Sequence, residues 1–270
     1  MISLAQKFKE GRDQNRSVLI GFITAGDPSL EITPKIANAM VKGGVDVIEL
    51  GIPFSDPIAD GPTIQSSSTR SLLKGSTPKS ILEISKKIAN DLEVPVVLLT
   101  YYNTIMNMGV KNFLDLAHKS DIAGIVSPDL PPEEAEEYRN LAKERSIDTI
   151  FLASPATTNE RLDKIINSTS GFLYMVSLFG VTGARDIFNN YSTNAAKRIV
   201  QRVNKRVPVA IGFGISKPDH VRHFTNIGVD GIIVGSAFIK IIEKNLNDTK
   251  TMLEQVNNLS RELFNATTIN

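Results

Sequence analysis

The chain has 270 residues, of which 41% are hydrophobic and 22% charged, and its net charge is +1. This composition is ordinary for a globular protein and argues against a nucleic-acid or anionic-membrane partner, because so small a charge creates no strong field. The sequence contains no cysteine, which excludes disulfides, thiolate nucleophiles and cysteine-ligated metal sites. The length permits one α/β barrel of about 250 residues, so we expect residues 1–270 to form a single domain.

The N-terminal segment carries charges where a signal peptide would need its apolar stretch, at Lys7, Lys9, Glu10, Arg12 and Asp13. No apolar run in the sequence approaches the roughly 20 residues needed to cross a bilayer. We therefore expect a cytoplasmic protein, with an organelle stroma as the alternative. The same segment, SLAQKFKEG, precedes the first predicted strand, and we expect an extra helix here that closes the barrel floor.

Eight short runs rich in β-branched residues follow along the chain. They are apolar throughout instead of alternating with polar residues, which is typical of parallel strands buried on both faces. Segments of helical periodicity separate them, so strand and helix alternate. Because no linker or composition shift marks a reversal of strand order, we predict a closed (β/α)8 TIM barrel instead of an open sheet. The predicted strands span residues 18–24, 45–51, 95–101, 123–129, 148–154, 171–177, 208–214 and 231–237.

Two connections are unusually long. The one after the second strand covers residues 53–78 and contains SDPIADGP, and the one after the sixth covers residues 180–194 and contains GVTGARD. Connections that follow barrel strands lie on the catalytic face, where long ones usually serve as functional loops or lids. We therefore expect both loops to border a site.

Glu49 lies near the end of the second predicted strand, between Ile48 and Leu50. A carboxylate is costly to bury unless it is paired or used. Barrel geometry would direct it into the top of the barrel, where apolar neighbours raise its pKa and suit it to proton transfer. A structural carboxylate, paired with a lysine or a backbone amide, explains the residue alone equally well.

Asp60 follows in a loop dense with turn-forming residues. Aspartates in such loops commonly cap helices or form turns, so a structural role, for example as an N-cap, is favoured for Asp60 by itself and catalysis is the lesser alternative. Asp56 is the better candidate for bracing the loop.

Glycines close the seventh and eighth predicted strands, in GFGIS at 212–216 and GSAF at 235–238. Barrels often hold phosphate with the loops after these two strands, where backbone N–H groups and a helix N-terminus attract an anion. Ser236 could both cap the following helix and donate its hydroxyl. Tight turns explain one such loop, but two at these strands favour a phosphate site.

Several other mechanisms lack the residues they need. A Schiff-base aldolase requires a lysine inside the barrel, and the eight strand runs contain none. Metal-dependent aldolases and epimerases need ligands at several strand ends, whereas His118, His220 and His223 fall in predicted helices, where we expect surface positions. The sequence also lacks a Gly-x-Ser-x-Gly elbow and a Walker lysine. Metal-free acid–base chemistry on a phosphorylated substrate remains.

Across its whole length the sequence resembles the tryptophan synthase alpha chain family. GFITAGDPSLE, VIELGIPFSDPIADGPTIQ, LLTYYN, PDLPPEE, FLASPATT, GVTGAR, IGFGIS and IIVGSAF stand in the family's order and spacing. The resemblance implies reversible retro-aldol cleavage of indole-3-glycerol phosphate to indole and glyceraldehyde 3-phosphate in L-tryptophan biosynthesis, with neither metal nor organic cofactor. It also implies a pyridoxal-phosphate β subunit as partner in an α2β2 heterotetramer. That partner would contact the Asp56 loop and the segment after Tyr101 and Asn103.

The resemblance implies that Glu49 shuttles protons during cleavage and that Asp60 accepts a hydrogen bond from the indole N–H. It places Tyr174 beside the reacting centre and has Thr182 align Asp60. Leu178 departs from the arginine that commonly precedes GVTG, which bears on closure of that loop. The implied indole slot is Phe22, Leu99, Tyr101, Val126, Leu152 and Phe213, and the implied phosphate site is Gly183, Gly212, Phe213, Gly214, Gly235 and Ser236.

Three alternatives stay open. A stand-alone lyase that releases free indole would share these residues, and binding of a β subunit would distinguish the two. A weakly active regulatory or scaffold subunit is disfavoured by the presence of both Glu49 and Asp60. Another phosphosugar barrel, such as an isomerase, is disfavoured by the stretch ELGIPFSDPIADGP.

Overall fold

A computed structural model describes residues 2–176, 190–212 and 214–269. Its parallel sheet has nine strand segments, namely β1 (Val18–Thr24), β2 (Val47–Gly51), β3 (Val96–Leu99), β4 (Ile122–Val126), β5 (Asp148–Ile150), β6 (Leu152–Ala153), β7 (Leu173–Val176), β8 (Val209–Gly212) and β9 (Gly231–Val234). Their order in the sheet is β5-β4-β3-β2-β1-β9-β8-β7-β6. Only Phe151 separates β5 from β6, so these segments are two parts of one strand that pairs with β4 on one side and β7 on the other. The sheet closes through this strand.

The predicted (β/α)8 TIM barrel is therefore confirmed. Seven of the eight predicted runs contain their strands, and the fourth overlaps β4, which begins one residue before the run, at Ile122. Several predicted runs extend beyond the C-terminal ends of the observed strands. The third was predicted to reach Tyr101 but ends at Leu99, and the fourth was predicted to reach Asp129 but ends at Val126. Residues beyond these ends can remain buried, as Tyr101, only 3% exposed, shows. An apolar pattern alone therefore does not mark the end of a strand.

Helices surround the sheet, and within the described residues none is long and apolar enough to span a bilayer. A short 3₁₀ turn, Pro132–Glu134, precedes α7. The helices are α1 (Leu4–Asp13), α2 (Thr33–Lys42), α3 (Pro62–Leu73), α4 (Pro78–Leu92), α5 (Tyr102–Met108), α6 (Val110–Lys119), α7 (Glu136–Glu144), α8 (Asn159–Ser168), α9 (Asn190–Val203), α10 (Pro218–Ile227), α11 (Ser236–Lys244) and α12 (Thr249–Asn265).

Two apolar layers make the core. One lies between the sheet and the surrounding helices, and the other fills the barrel with inward-facing side chains such as Val47 and Val97. Leu4 and Phe8 of α1 belong to this inner cluster, and the Phe8 ring lies 5.6 Å from that of Phe172. The predicted extra N-terminal helix therefore does close the floor of the barrel.

Helices occupy part of both long connections. After β2, the loop covers residues 52–61 and α3 then begins at Pro62, a residue suited to the first helical turn. The N-cap of α3 is Gly61, so the alternative that Asp60 caps this helix is wrong. After β7, α9 already begins at Asn190, and residues 177–189 lie outside the described part of the chain.

Candidate active site

A cavity of about 210 Å³ lies at the carboxyl ends of the strands. Several of the residues predicted for the site line it, namely Phe22, Asp60, Leu99, Tyr174, Gly214, Gly235 and Ser236. They come from β1, β3, β7, the loop after β2 and the segments that follow β8 and β9. The closed sheet thus brings together residues that are more than 200 positions apart in sequence, from Phe22 to Ser236.

Glu49 lies on β2 in register with Phe22 of β1 and Val97 of β3, and its side chain is 0% exposed. Neither carboxylate oxygen has a hydrogen-bond partner among the described residues. Burial, and secondarily the charge of Asp60, raise its pKa to about 8. The structural interpretation, a pair with a lysine or a backbone amide, therefore finds no support in this part of the chain. A buried carboxyl group left without partners is instead suited to holding and releasing a proton near neutral pH.

Asp60 stands at the edge of the cavity and is half-buried. Burial raises the pKa of its carboxyl group, and a hydrogen bond with the Tyr101 hydroxyl opposes that rise. The same hydroxyl accepts the backbone N–H of Ala59 at 3.0 Å, and the Gln65 side chain donates to the Asp60 carbonyl at 2.8 Å. These bonds fix the backbone on both sides of the carboxylate.

Tyr101 was expected in the apolar slot, but it does not line the cavity. Its ring stacks on Phe54 at 5.0 Å, and its hydroxyl holds the Asp60 loop. Burial, followed by the charge of Asp60 among the causes that raise it, moves the Tyr101 pKa to about 12, so the phenol stays neutral and can donate. Tyr101 therefore positions the loop instead of forming a wall of the cavity.

Tyr174 is 7% exposed and lines the cavity. Burial raises its pKa well above the usual range, and the charges of Glu49 and Asp60 add to the effect. A side chain at Gly212 would collide with the Tyr174 hydroxyl, since a Cβ there would lie 2.7 Å from that oxygen. Gly212, expected at the phosphate site, does not line the cavity and instead leaves room for Tyr174.

Another part of the cavity wall is formed by the segments after β8 and β9. Gly214 has φ +80°, a left-handed conformation that favours glycine. Gly235 is the N-cap of α11, so the expectation that Ser236 caps this helix is wrong, and Ser236 is its first residue. Because the first N–H groups of a helix have no acceptor within it, this helix end presents donors and a positive dipole to the cavity.

Other predicted residues fall away from the cavity or outside the described chain. Val126 is buried inside the barrel and Leu152 packs against the same cluster, and neither lines the cavity. Thr182, Gly183, Phe213 and Leu178 lie outside the described residues. Sequence reasoning missed the first turn of α3 as a wall, although the residues directly follow Asp60 in the motif DGPTIQ. Those missed lining residues are Gly61, Pro62, Thr63 and Ile64, with Ile215 and Ile233 from the strand ends.

The three histidines lie on helices as predicted. His118 is exposed on α6, but His220 and His223 on α10 are half-buried and not on the surface. Within residues 2–176, 190–212 and 214–269, no three histidine, aspartate or glutamate side chains are grouped closely enough to hold a metal ion.

Comparison with known proteins agrees with this geometry. The sequence profile of the family described as "Tryptophan synthase alpha chain" matches residues 8–268. Proteins of that name include one from Methanoregula boonei, 45% identical over 239 residues (88% of this chain, 89% of that protein), and one from Arabidopsis thaliana, 42% identical over 241 residues (89% and 87%). A chain in a structure of the tryptophan synthase α2β2 complex from Pyrococcus furiosus is 40% identical, with a TM-score of 0.85 over 93% of this chain and 99% of that chain. On this match, the chain belongs to the tryptophan synthase alpha chain family.

Proposed function

We propose that this protein reversibly cleaves indole-3-glycerol phosphate to indole and glyceraldehyde 3-phosphate as the alpha subunit of tryptophan synthase. The observation that carries the proposal is Glu49, a fully buried carboxyl group without a hydrogen-bond partner among the described residues. It is in register with Phe22 of the cavity wall, and the charge of Asp60, at the cavity edge, acts on it. With a pKa of about 8, Glu49 is protonated at neutral pH, as a general acid must be. The α2β2 complex among the related structures favours a synthase subunit over a stand-alone lyase.

The proposed reaction needs two proton transfers that balance. Ring carbon C3 takes up a proton, and the bond from C3 to the glycerol chain then breaks as the neighbouring hydroxyl loses its proton and becomes the aldehyde. Neutral Glu49 supplies the first proton, and its carboxylate then accepts the second. Asp60 accepts a hydrogen bond from the indole N–H and offsets the positive charge on the protonated ring. The enzyme is returned to its starting state.

The walls of the cavity suit the two ends of this substrate. Phe22, Leu99 and Tyr174 offer an apolar slot for the indole ring. At the other side, the N-terminus of α11 at Gly235 and Ser236 supplies N–H donors for the phosphate. The proposal also keeps Thr182, Gly183 and Phe213 at the site, on the family resemblance alone.

The decisive assay measures indole release from indole-3-glycerol phosphate, with and without a tryptophan synthase β subunit. We expect release by the isolated chain and a large increase on adding the β subunit. Absence of cleavage under both conditions would contradict the proposal. Unchanged turnover with the β subunit would favour the stand-alone lyase, and activation of the partner without cleavage would favour a scaffold subunit.

The proposal further treats residues 1–270 as one domain that needs neither metal nor organic cofactor and acts in the cytoplasm or an organelle stroma. Dialysis against a chelator should leave indole release unchanged. A loss of activity that added metal restores would contradict the metal-free mechanism.

Tyr101→Phe tests whether the Tyr101 hydroxyl lowers the pKa of Asp60. The hydrogen bond from Tyr101 lowers the Asp60 pKa, so its removal should raise that pKa further. The variant should lose activity on the acid side of the pH profile, with that limb moved to higher pH. Measuring kcat/KM for cleavage between about pH 5 and 9 checks this shift. An acid limb that stays in place, or moves to lower pH, would show that Tyr101 does not tune Asp60.

Two apolar side chains on the cavity side of the barrel are exposed. Ile58, in the loop that carries Asp56 and Asp60, is 82% exposed, and Met106 on α5 is 60% exposed. Tyr101 ties these two segments together through its bond to Ala59. Exposed apolar side chains of this kind occur at protein contact surfaces. We propose that this surface, which lies where the family resemblance puts the β contact, receives the β subunit.

Met106→Glu tests that surface without altering the cavity. A charge placed in an apolar contact should weaken β-subunit binding by about tenfold or more and reduce activation, while indole release by the isolated chain stays unchanged. Titration of activity with β subunit measures both quantities. The matched control is Leu246→Glu, at an exposed leucine beyond α11, which should bind as the parent does. Equal effects of the two variants would exclude Met106 from the contact.

A further inference from the structure

The helix that forms one wall of the cavity is held in place by polar contacts. The buried residues of α3, all of which the structure describes, are Ser67, Ser68 and Ser71, whereas Leu73 is 81% exposed. The hydroxyls of Ser67 and Thr24 lie 2.6 Å apart, and Ser71 donates to the Ala25 carbonyl at 2.6 Å. A surface helix usually buries an apolar stripe against its sheet. On α3 only Ile64, partly buried, packs against the core, so the position of the helix depends largely on directional bonds.

Arg70 makes the strongest of these bonds. Its guanidinium donates to both carboxylate oxygens of Asp27, at 2.8 Å each, and Asp27 is 0% exposed in the segment after β1. A further nitrogen of Arg70 donates to Glu243 on α11 at 3.0 Å, and Ser66 donates to the same Glu243 oxygen at 3.2 Å. Burial raises the Asp27 pKa and the bonds from Arg70 oppose that rise. One side chain therefore joins α3 to the segment after β1 and to α11.

The two helices joined by Arg70 pack against each other, and the first residues of each line the cavity. Residues 61–64, at the start of α3, follow Asp60, and Gly235 and Ser236, at the start of α11, form the phosphate side. A shift of α3 relative to α11 would change the distance between these two sides. A substrate that must reach both sides at once is sensitive to such a change, because misplacement by about 1 Å can cost roughly 100-fold in rate.

We propose that Arg70 is a positioning residue of this active site, which sets the separation between the Asp60 side and the phosphate side of the cavity. The role rests on the proposed function, since it concerns a ligand with an indole ring at one end and a phosphate at the other. Arg70 does not line the cavity, and it acts through the helix that carries it. A purely structural role would instead affect every ligand alike.

The test compares a linked ligand with its two halves. The probes are indole-3-propanol phosphate, which has no hydroxyl to become an aldehyde and is not cleaved, together with indole and glycerol 3-phosphate, each titrated by NMR. Arg70→Lys keeps the charge but loses the two-pronged contact with Asp27. We expect its Kd for the linked probe to rise about tenfold, and for each half to change less than about twofold. The KM for indole-3-glycerol phosphate should rise with it.

Glu243→Gln leaves the contact between Arg70 and Asp27 in place and weakens only the bond from Arg70 to α11. It should therefore raise the Kd for the linked probe by about two- to threefold, as expected for a half-exposed pair. The matched control is Glu254→Gln, an exposed position on α12, which should change nothing. Circular dichroism reports the folded fraction. If Arg70→Lys does not fold, the Kd of Glu243→Gln for the linked probe tests the positioning role.

An equal loss of affinity for all three probes, or no selective loss of affinity for the linked probe, would overturn the positioning role while leaving the proposed function intact. A parent protein that neither binds the linked probe nor releases indole would instead overturn the proposed function, and this role with it.

Discussion

Replacing Glu49 by glutamine is expected to lower indole release by about 10²–10⁴-fold, the usual contribution of a general acid–base group. The amide keeps the size of the side chain but cannot donate and accept a proton in turn. Binding of indole-3-propanol phosphate should change little, because the proposed phosphate side is at Gly235 and Ser236, which line the cavity. Steady-state assays of indole release, with NMR titration of the probe, measure the two effects separately. Turnover within about tenfold of the parent would remove Glu49 from the mechanism.

The same substitution should stabilise the protein. The pKa of Glu49 is about 8 when folded, against an ordinary value of 4.5. Below pH 4.5 both states hold the proton. Between those values the folded state keeps a proton that the unfolded state releases, so stability falls by about 1.4 kcal/mol per pH unit and the loss is complete above pH 8. Because glutamine does not titrate, the variant does not lose stability in this way.

At pH 7 the absence of this titration raises the free energy of unfolding of the variant by about 3 kcal/mol relative to the parent. Burial of the amide without a hydrogen-bond partner lowers it by about 1–2 kcal/mol. We therefore expect a higher midpoint of urea unfolding at pH 7, with an advantage that grows from pH 5 to pH 8. Glu83→Gln, at an exposed position on α4, is the control and should show no such growth. A variant less stable than the parent at pH 8 would contradict the buried, uncompensated state of Glu49.

Replacing Gly235 by aspartate should raise the KM for indole-3-glycerol phosphate by about 100-fold or more, because it places a carboxylate where the phosphate is proposed to bind and like charges repel. A Cβ at this position would also lie 2.9 Å from the Phe22 ring, which lines the indole slot. Both ends of the substrate are affected by one change.

Gly235→Ala separates the two causes, since it adds the Cβ without the charge. We expect a smaller rise in KM for the alanine variant, of about tenfold, and little change in its affinity for glycerol 3-phosphate. The aspartate variant should lose affinity for glycerol 3-phosphate, a loss that high salt does not restore, because the carboxylate occupies the site. Equal affinity of the aspartate variant and the parent for that probe would place the phosphate elsewhere.

The roles of the two acids show how far sequence reasoning could go. Glu49 at a strand end was open to a structural or a functional interpretation, since a sequence does not say whether a buried carboxylate finds a partner. The fold supplied none among the described residues, and burial, with the charge of Asp60, raises the pKa of Glu49 to about 8. Asp60 by itself favoured a structural role such as a helix cap, but the N-cap of α3 is the next residue, Gly61. The family motif pointed to both acids before either contact was known.

The sequence by itself determined the barrel and the floor helix, because these follow from local patterns of continuous apolar runs and helical periodicity. The glycines after the last two strands predict the phosphate side. Only the tertiary structure decided that Tyr101 braces the Asp60 loop, that the start of α3 walls the cavity, and that Arg70 joins Asp27 to Glu243. The hydrogen bonds among them link residues between 42 and 173 positions apart, as Tyr101 with Ala59 and Arg70 with Glu243 show. Such pairs leave no periodic trace in sequence, since they depend on closure of the sheet and on directional bonds between side chains.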